Sequence, residues 1–587
     1  MNYLDLAKNA SLAQLHRRGS TNDSQYLGSN PKYGYTLSPE IVKAAKEVVE
    51  SEKPAAWEVD YASIASKVNT KWNQGNNDTN AMIQKLSRLN GLEEYVYFEQ
   101  PDGIQPQAQL KAGKRDTSSY WMASLEQNGA SPFVEKGYKV WRNVMDYGAK
   151  GDGVTDDTTA INRAISDGNR CGANCKSSTI YPVVVWFLLG TYLVSSPVIQ
   201  FYNTQLLGDP IDLPTILAAS SFVGLGLITS DVYVGGSEEW YINTNNFLRS
   251  IKNFKMDITR TDQSAYVCAI HWQVAQGTSL ENIEFYMVQN VAENTQQGIY
   301  MENGSGVFLA DLTFVGGNFG AYFGNQQFTT SHLVFVNCNT ALQVNWNWAW
   351  TMQDVVIESC GVGMVVTGGV SLAFLRPCRC IRRNRVVRRP KSPHLLTERQ
   401  AGGSLSTGQS LGSLILVDAI IANTPTGIVT SLLAENSTSL LLQNVGFFNV
   451  KKSVTDNVLS KVLLAGGDEV LVDNWGFGRV TNSNGESSFI NGANIPVMSR
   501  TESLLSTELS YVKPNFYTRR RPKYTNIGQS QIINLKSAGA KGDSVTDDTT
   551  TLNSVFAAAA NMSSIVFVPY GVYRVTDTVK IPVGLES

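Results

Sequence analysis

Four carboxylates are candidates for acid and base work: Glu281, Glu284, Glu302 and Glu358. Inverting cleavage of a glycosidic bond needs a protonated carboxylic acid on the leaving oxygen and a base-held water opposite, the two carboxyls roughly 6.5–9.5 Å apart. Glu281 and Glu284 share the segment SLENIEF, where one of them is expected to face solvent. Glu302 precedes Asn303-Gly304-Ser305, a turn from which a side chain reaches outward. A plain solvated role is the simpler reading of each. In AIHWQVAQ, His271 and Gln273 face one way on a strand and Val274 the other. An amide there suits sugar chemistry, because it donates and accepts, and a polar ladder inside a coil would use the same residues. Trp346, Trp348 and Trp350 alternate along NWNWAW and share a face if that stretch is one strand. They read as a sugar-stacking platform or as a covered patch. Asp152, Asp156 and Asp157 in GDGVTDD have spacing suggestive of calcium, but no Glu closes a twelve-residue loop. The better reading is structural: glycines make the turns, and Asp156 or Asp157 caps a helix beginning near Thr158. No metal or organic cofactor is expected.

Composition bounds the elements that position these groups. The 587 residues are 43% hydrophobic and 17% charged, with 11 Trp and 24 Tyr, enough for a large core and more than one domain. A net charge of -2 argues against nucleic-acid and membrane-surface partners, and a monomer is expected. Residues 1–18 carry Asp5, Lys8, His16, Arg17 and Arg18 and show no apolar signal core, yet sequons begin at Asn9, Asn22, Asn77, Asn303, Asn436 and Asn561. Export is expected although no signal peptide is visible. Seven cysteines imply no disulfide scaffold. Cys171 and Cys175 bracket a short loop and are expected to bridge.

A long repeat sets the organisation. GAKGDGVTDDTTAIN at 148–162 returns as GAKGDSVTDDTTTLN at 539–553, 391 residues later, each followed by an apolar strand ending in Gly-x-Tyr. Two homologous domains follow from this distance. Between the copies, short apolar segments recur, each marked by a polar residue: Asn253, Asn282, Asp311, His332, Asp354, Asp418, Asn444 and Asp473. Most steps are 21 to 29 residues, about one circuit of a parallel β-helix. The fold class is therefore all-β: a right-handed parallel β-helix, one nearly complete and the start of a second. The domains expected are a leader with a helical segment over 1–138, a first β-helix over 139–484, a linker over 485–533 and a truncated second β-helix over 534–587. Cys338 and Cys360, offset by 22 residues like His332 and Asp354, should stack as thiols on neighbouring coils.

One step, Asp354 to Asp418, is 64 residues and contains VSLAFLRPCRCIRRNRVVRRPKSPHLLTERQ at 370–400. Nine Arg/Lys against one Glu give this segment +8, leaving -2 - 8 = -10 for the rest. Val370-Ser371 can be encoded by a sequence resembling an intron donor, and Gln400 by one resembling an acceptor. A translated intron is the expectation, absent from the mature protein or forming an unpacked excursion. A basic arm for nucleic acid or membrane, or an ordinary solvated insertion, are the other readings.

The first GAKGD element with GTYLVSSPV resembles the pectate-lyase-like β-helix superfamily. Together with SSYWMASLEQNGASPF (118–133), AIHWQVAQGTSLENIEF (269–285), GIYMENGSGVFLADLTFVGGNFG (298–320) and TGQSLGSLILVDAIIANTPTGIV (407–429), it resembles the fungal exo-β-1,3-glucanases of glycoside hydrolase family 55. The resemblance runs from about residue 118 to the end, except 370–400. It implies two β-helices side by side with β-1,3-glucan in the cleft between them, and exo-type inverting hydrolysis. It implies that Gln273, Gln276 and Ser305 position water or substrate and that His271 binds substrate; Glu302 and Trp346, Trp348 and Trp350 are substrate-binding candidates on the residues alone. It places the general acid in the second β-helix, beyond Ser587, so this chain is expected to bind glucan weakly and hydrolyse it negligibly. Leu188-Leu189 departs from the turn residue usual before that glycine. A non-catalytic glucan-binding or structural β-helix is the rival reading. Pectin-directed hydrolases and lyases are another, but the Gly-His-Gly of polygalacturonases is missing.

Overall fold

The computed structural model describes residues 120–583 except 236–237, 302–303, 307, 367–370, 376–378, 382–393, 399–412, 431–438, 457–459, 482–483, 498, 507–512 and 563. The helical segment expected at 37–52 lies outside the described residues.

From Trp141 to Asp456 the chain winds as a parallel β-helix with three strand ladders. The first stacks Trp141–Asn143, Val183–Phe187 and Thr204–Gly208. It continues through the leading halves of Arg249–Asp257, Ser279–Tyr286, Phe308–Val315, Thr329–Val336 and Trp350–Glu358. The trailing halves of those strands form the second ladder. The third contains Gly226–Thr229, Cys268–His271, Gln297–Met301, Phe319–Gln326, Thr340–Trp348 and Val362–Val366. Inward residues stack like on like: Phe285, Phe314 and Phe335 lie parallel at 4.6 and 4.7 Å between centroids.

The corner between the first and second ladders explains the polar markers. Asn253, Asn282, Asp311, His332, Asp354, Asp418 and Asn444 all have φ between +53° and +65°. A left-handed residue bends one strand into two, and among residues with a side chain Asn and Asp accept that conformation best, because their short polar groups bond locally. The side chains also bond from rung to rung: Asn282 Nδ2 to Asn253 Oδ1 at 2.9 Å, His332 Nδ1 with Asp354 Oδ2 at 2.9 Å, Asn444 Nδ2 to Asp418 Oδ1 at 2.7 Å. Asp473 is not such a corner. It lies on Lys461–Thr481, which turns back and pairs antiparallel along the last coil, closing the end of the helix.

The backbone corrects the expectation that 370–400 is an unpacked excursion. Ser371–Leu375 and Arg379–Ile381 are inserted in parallel between Trp350–Glu358 and Ser413–Ala422, and His394–Glu398 between Val362–Val366 and Thr426–Thr430. Gln353 pairs with Leu375 and Leu375 with Val417, so the 64-residue step is an ordinary one of 375 - 353 = 22 and a long one of 417 - 375 = 42. The segment thus adds one strand to each of the three ladders.

Residues 485–533 do more than link. Ser487–Asn494 pairs antiparallel with Lys461–Thr481. The chain then runs back along the marker corner as a strap: Phe516 N donates to Asp418 Oδ2 at 2.7 Å, Arg521 reaches Glu281 at 2.9 Å and Lys523 reaches Asn282 at 2.7 Å. The strap delivers the second unit, where Ile532–Asn534 pairs with Ile565–Phe567 and Asp543–Asp547 with Val572–Arg574. The two GAKGD elements are the same device. Asp156 accepts from Thr158 N at 3.0 Å, capping the helix Thr158–Ser166, while Asp157 accepts from Lys150 N and Gly151 N. Asp547 and Asp548 repeat these bonds.

Cys171 and Cys175 are bridged. Cys338 and Cys360 are free thiols on successive coils, and Gly361 N donates to Cys338 O at 3.0 Å. Burial first, and then the adjacent Cys360 thiol, push the Cys338 thiol up.

Candidate active site

The outer face of the third ladder carries a polar and aromatic column. Thr229, His271, Tyr300, Tyr322 and Gln343 are in register on successive strands, outside the inward line Ile228, Ile270, Ile299, Ala321 and Leu342. The rings touch in sequence: His271 stacks on Tyr300 at 5.7 Å, and Tyr300 meets Tyr322 at 5.4 Å with the planes tilted by 43°. A hairpin of Tyr233–Gly235 and Glu238–Glu239 folds over the His271 end.

Under that hairpin the side chains form one continuous chain of hydrogen bonds. Thr229 Oγ1 bonds the Asp231 carbonyl and lies 2.8 Å from His271 Nδ1. His271 Nε2 is 3.1 Å from the Tyr233 hydroxyl, which also bonds the Gln273 side-chain amide. The far end of that amide is 2.6 Å from Glu239 Oε2. His271 and Gln273 are 0% and 1% exposed and Glu239 is half-buried. Burial pushes the imidazole down to about 3, since the charged form has no water. Beneath them Asp231 is raised well above the usual carboxylate range, by burial first and by nearby Glu239 second. Arg249 is fully buried against the Tyr241 ring at 4.5 Å and bonds Asn246 and the Gln200 carbonyl.

The other sequence candidates divide. Ser305 adjoins the group, its N bonding Val274 O at 3.1 Å and its hydroxyl accepting from Gln326 Nε2 at 3.4 Å. Gln276 is exposed, beside Gly277 with φ +73°. Glu302 lies outside the described residues. The three tryptophans do not share a face. Ala349 has φ +50° and ends the strand. Trp348 is 42% exposed and in register with Gln326, Trp346 is half-buried, and Trp350 is 1% exposed in the core, stacked on Phe323 and Phe328 at 4.6 and 4.8 Å. Glu281 and Glu284 sit on the first two ladders instead. Burial works against ionised Glu281, but Lys252 at 2.8 Å and Arg521 hold its carboxyl below the usual range. Glu284 accepts from the Tyr286 hydroxyl at 2.8 Å. Glu358 closes its strand opposite Val336. Thr229, Asp231, Tyr233 and Glu239 went unnoticed in the sequence. Gly235-Gly236 between Tyr-Val and Glu-Glu is a hairpin signal, though nothing local says what the hairpin covers.

The family model described as "Rhamnogalacturonase A/epimerase, pectate lyase-like" matches residues 141–365 and again 532–586, the two units seen in the fold. The chain is a parallel β-helix protein that is similar to this pectate-lyase-like family. This β-helix protein is 61% identical, over 96% of its length, to a Penicillium expansum protein named non-secreted LysM effector LysM19, of which it spans 42%. It is 35% identical, over 83% of its length, to a probable glucan endo-1,3-beta-glucosidase of Arthroderma benhamiae, spanning 62% of that chain. It is 36% identical, over 79% of its length, to a glucan 1,3-beta-glucosidase of Cochliobolus carbonum, spanning 54%. The β-helix protein thus covers from two-fifths to three-fifths of these relatives.

Proposed function

We propose that this β-helix protein acts on β-1,3-glucan as a glycoside hydrolase, exo-type and with inversion. The observation that carries the reading is its 36% identity, over 79% of the chain, to a protein named glucan 1,3-beta-glucosidase; the 35% identical relative, named a probable glucan endo-1,3-beta-glucosidase, supports the β-1,3-glucan part of the reading but not the exo-type part. The third-ladder face supports it in chemical kind. Gln273 offers an amide that donates and accepts, Ser305 a hydroxyl, and Trp348 an exposed ring face for a pyranose. In this reading Gln273 and Ser305 orient the attacking water and a sugar hydroxyl, while paired carboxyls supply acid and base.

Incubating the full chain with laminarin, and following product anomers by NMR, tests the proposal. Glucose or short products released first as the α-anomer support it. Turnover of polygalacturonate without turnover of laminarin would replace it with a pectin-directed reading. The burial of His271 and Gln273, with their polar ends bonded to protein, favours a second reading, a glucan-binding protein without turnover. Laminarin pull-down without released sugar would select that one.

A further inference from the structure

We propose that Cys338 and Cys360 are a peroxide-responsive thiol pair, in which Cys360 is oxidised first and Cys338 resolves it into a disulfide between neighbouring coils. The pair sits at the corner between the second and third ladders, and its chemistry is independent of the glucan reading.

Register brings the two residues together. Val336 is the partner of Glu358 and Thr340 the partner of Val362, an offset of 358 - 336 = 362 - 340 = 22 on both sides of the corner. Cys338 and Cys360 have the same offset, 360 - 338 = 22. Backbone bonds hold the corner itself: Asn337 N donates to Glu358 O at 3.1 Å, and Gly361 N to Cys338 O at 3.0 Å. Residues in register on neighbouring coils lie ~4.8 Å apart, inside the disulfide Cα range of roughly 4.4–6.8 Å. Each thiol now turns to the carbonyl two residues back, Cys338 to Val336 O at 3.7 Å and Cys360 to Glu358 O at 3.5 Å. These bonds stack the sulfurs without joining them. A thiol is a weak donor, so turning one of the two about χ1 gives up little. Cys268, the other free thiol among the described residues, has no such partner: it is buried and in register with Gly226 and Gln297.

Burial sets the order of events. Cys338 belongs to the main core and also approaches Phe314 O at 3.9 Å, whereas Cys360 is half-buried and packs against that core. Oxidation follows exposure and thiolate character, so peroxide meets Cys360. Its thiolate attacks one peroxide oxygen, the O–O bond breaks, hydroxide leaves and Cys360 becomes a sulfenic acid. Cys338 then attacks the Cys360 sulfur. The S–O bond breaks, the S–S bond forms, and the Cys338 proton leaves with the hydroxide as water. In sum, two thiols and one peroxide give one disulfide and two waters. Burial first and the Cys360 thiol second hold the proton on Cys338. Oxidation of Cys360 removes the second cause, so the resolving thiol is released when its partner has reacted. The bridge then closes a loop that carries Trp348 and Trp350.

Mass spectrometry on the full-length protein tests the pair. The folded chain is treated with hydrogen peroxide, then unfolded, alkylated and cut after glutamate, which separates the two cysteines at Glu358. The expected product is a pair of peptides joined through Cys338 and Cys360, and released by dithiothreitol. It should form about 10-fold or more faster than any oxidation of buried Cys268. Cys338→Ser should accumulate sulfenic acid at Cys360, trapped by dimedone, and Cys360→Ser should leave Cys338 reduced. Cys378→Ser/Cys380→Ser should cross-link as the unsubstituted chain does. Oxidation of Cys338 in Cys360→Ser at the unsubstituted rate would reverse the assigned order and sink the proposal. So would a link from Cys360 to Cys378 or Cys380, or sulfinic acid at Cys360 with no bridge. The last two are read on the unsubstituted chain, so they decide the matter even where a variant fails to fold.

Discussion

His271 and the paired environments of Trp348 and Trp350 show how much one position decides. An unfolded imidazole binds its proton near pH 6.5, whereas the buried His271 is pushed down to about 3. Between those values the unfolded chain holds more protons, so stability falls as pH falls, at ~1.4 kcal/mol per unit. Urea unfolding at pH 7 and pH 5 should show a His271-dependent loss of about 2 kcal/mol, missing in His271→Gln, while equal losses in both proteins would remove the assignment. The tryptophans make a second comparison. Trp350→Ala empties a core site between two phenylalanine rings and should cost about 3–5 kcal/mol. Trp348→Ala, at a site 42% exposed, should change stability by roughly 0.5 kcal/mol or less and, if the glucan reading holds, weaken laminarin binding. Thermal unfolding beside a binding isotherm separates the two.

The strap along the marker corner is an element whose length can be tested against the coils it crosses. From Phe516, bonded to Asp418, to Lys523, bonded to Asn282, there are seven residues, reaching at most ~25 Å when extended. The corners between them are Asn282, Asp311, His332, Asp354, the 371–381 rung and Asp418, five steps of ~4.8 Å or about 24 Å. The strap therefore matches the helix with the extra rung included. Its anchor is Asp418, whose side chain is 0% exposed and takes Arg500 at 2.5 Å, Phe516 N and Asn444 Nδ2. Asp418→Ala leaves a nearly buried guanidinium without its partner and should cost about 3–5 kcal/mol. The denaturation midpoint checks this, and Asp418→Asn, which keeps the acceptor, should lose less.

At the scale of the whole molecule, a small apolar cluster joins the two homologous units. Tyr120, Trp121, Leu125 and Trp186 pack with Ile532 and Ile565, Trp121 meets Phe567 at 6.0 Å, and Trp121 Nε1 donates to Tyr524 O at 3.2 Å. Residues just before the first strand are thus the mortar between units: Ala130 N donates to Tyr570 O at 2.9 Å and Asn534 Nδ2 to Glu126 O at 2.9 Å. Trp121→Ala should destabilise the docking by about 3–5 kcal/mol. Limited proteolysis should then cut between residues 513 and 531 first, leaving the closed first helix resistant; unchanged cleavage would place the docking energy elsewhere.

The sequence by itself determined the β-helix and seven of its corners, because a left-handed backbone residue in every coil selects Asn and Asp at recurrent positions. It also determined the second unit, because the duplicated Asp pair makes the same local bonds in both copies. It did not determine which side of the wall a side chain meets across NWNWAW. One positive φ at Ala349 sends Trp350 inward while Trp348 stays out, and the alternation rule holds only within a single strand. Nor could it show that the basic segment is a rung, since its residues belong to the stack only through partners about 20 and 40 positions away. The chain from Thr229 to Glu239 through His271 and Gln273 was decided by tertiary structure alone. Stacking at ~4.8 Å per coil brings a strand and a hairpin over thirty residues apart into hydrogen-bond contact, and neither segment by itself carries a sign of that meeting.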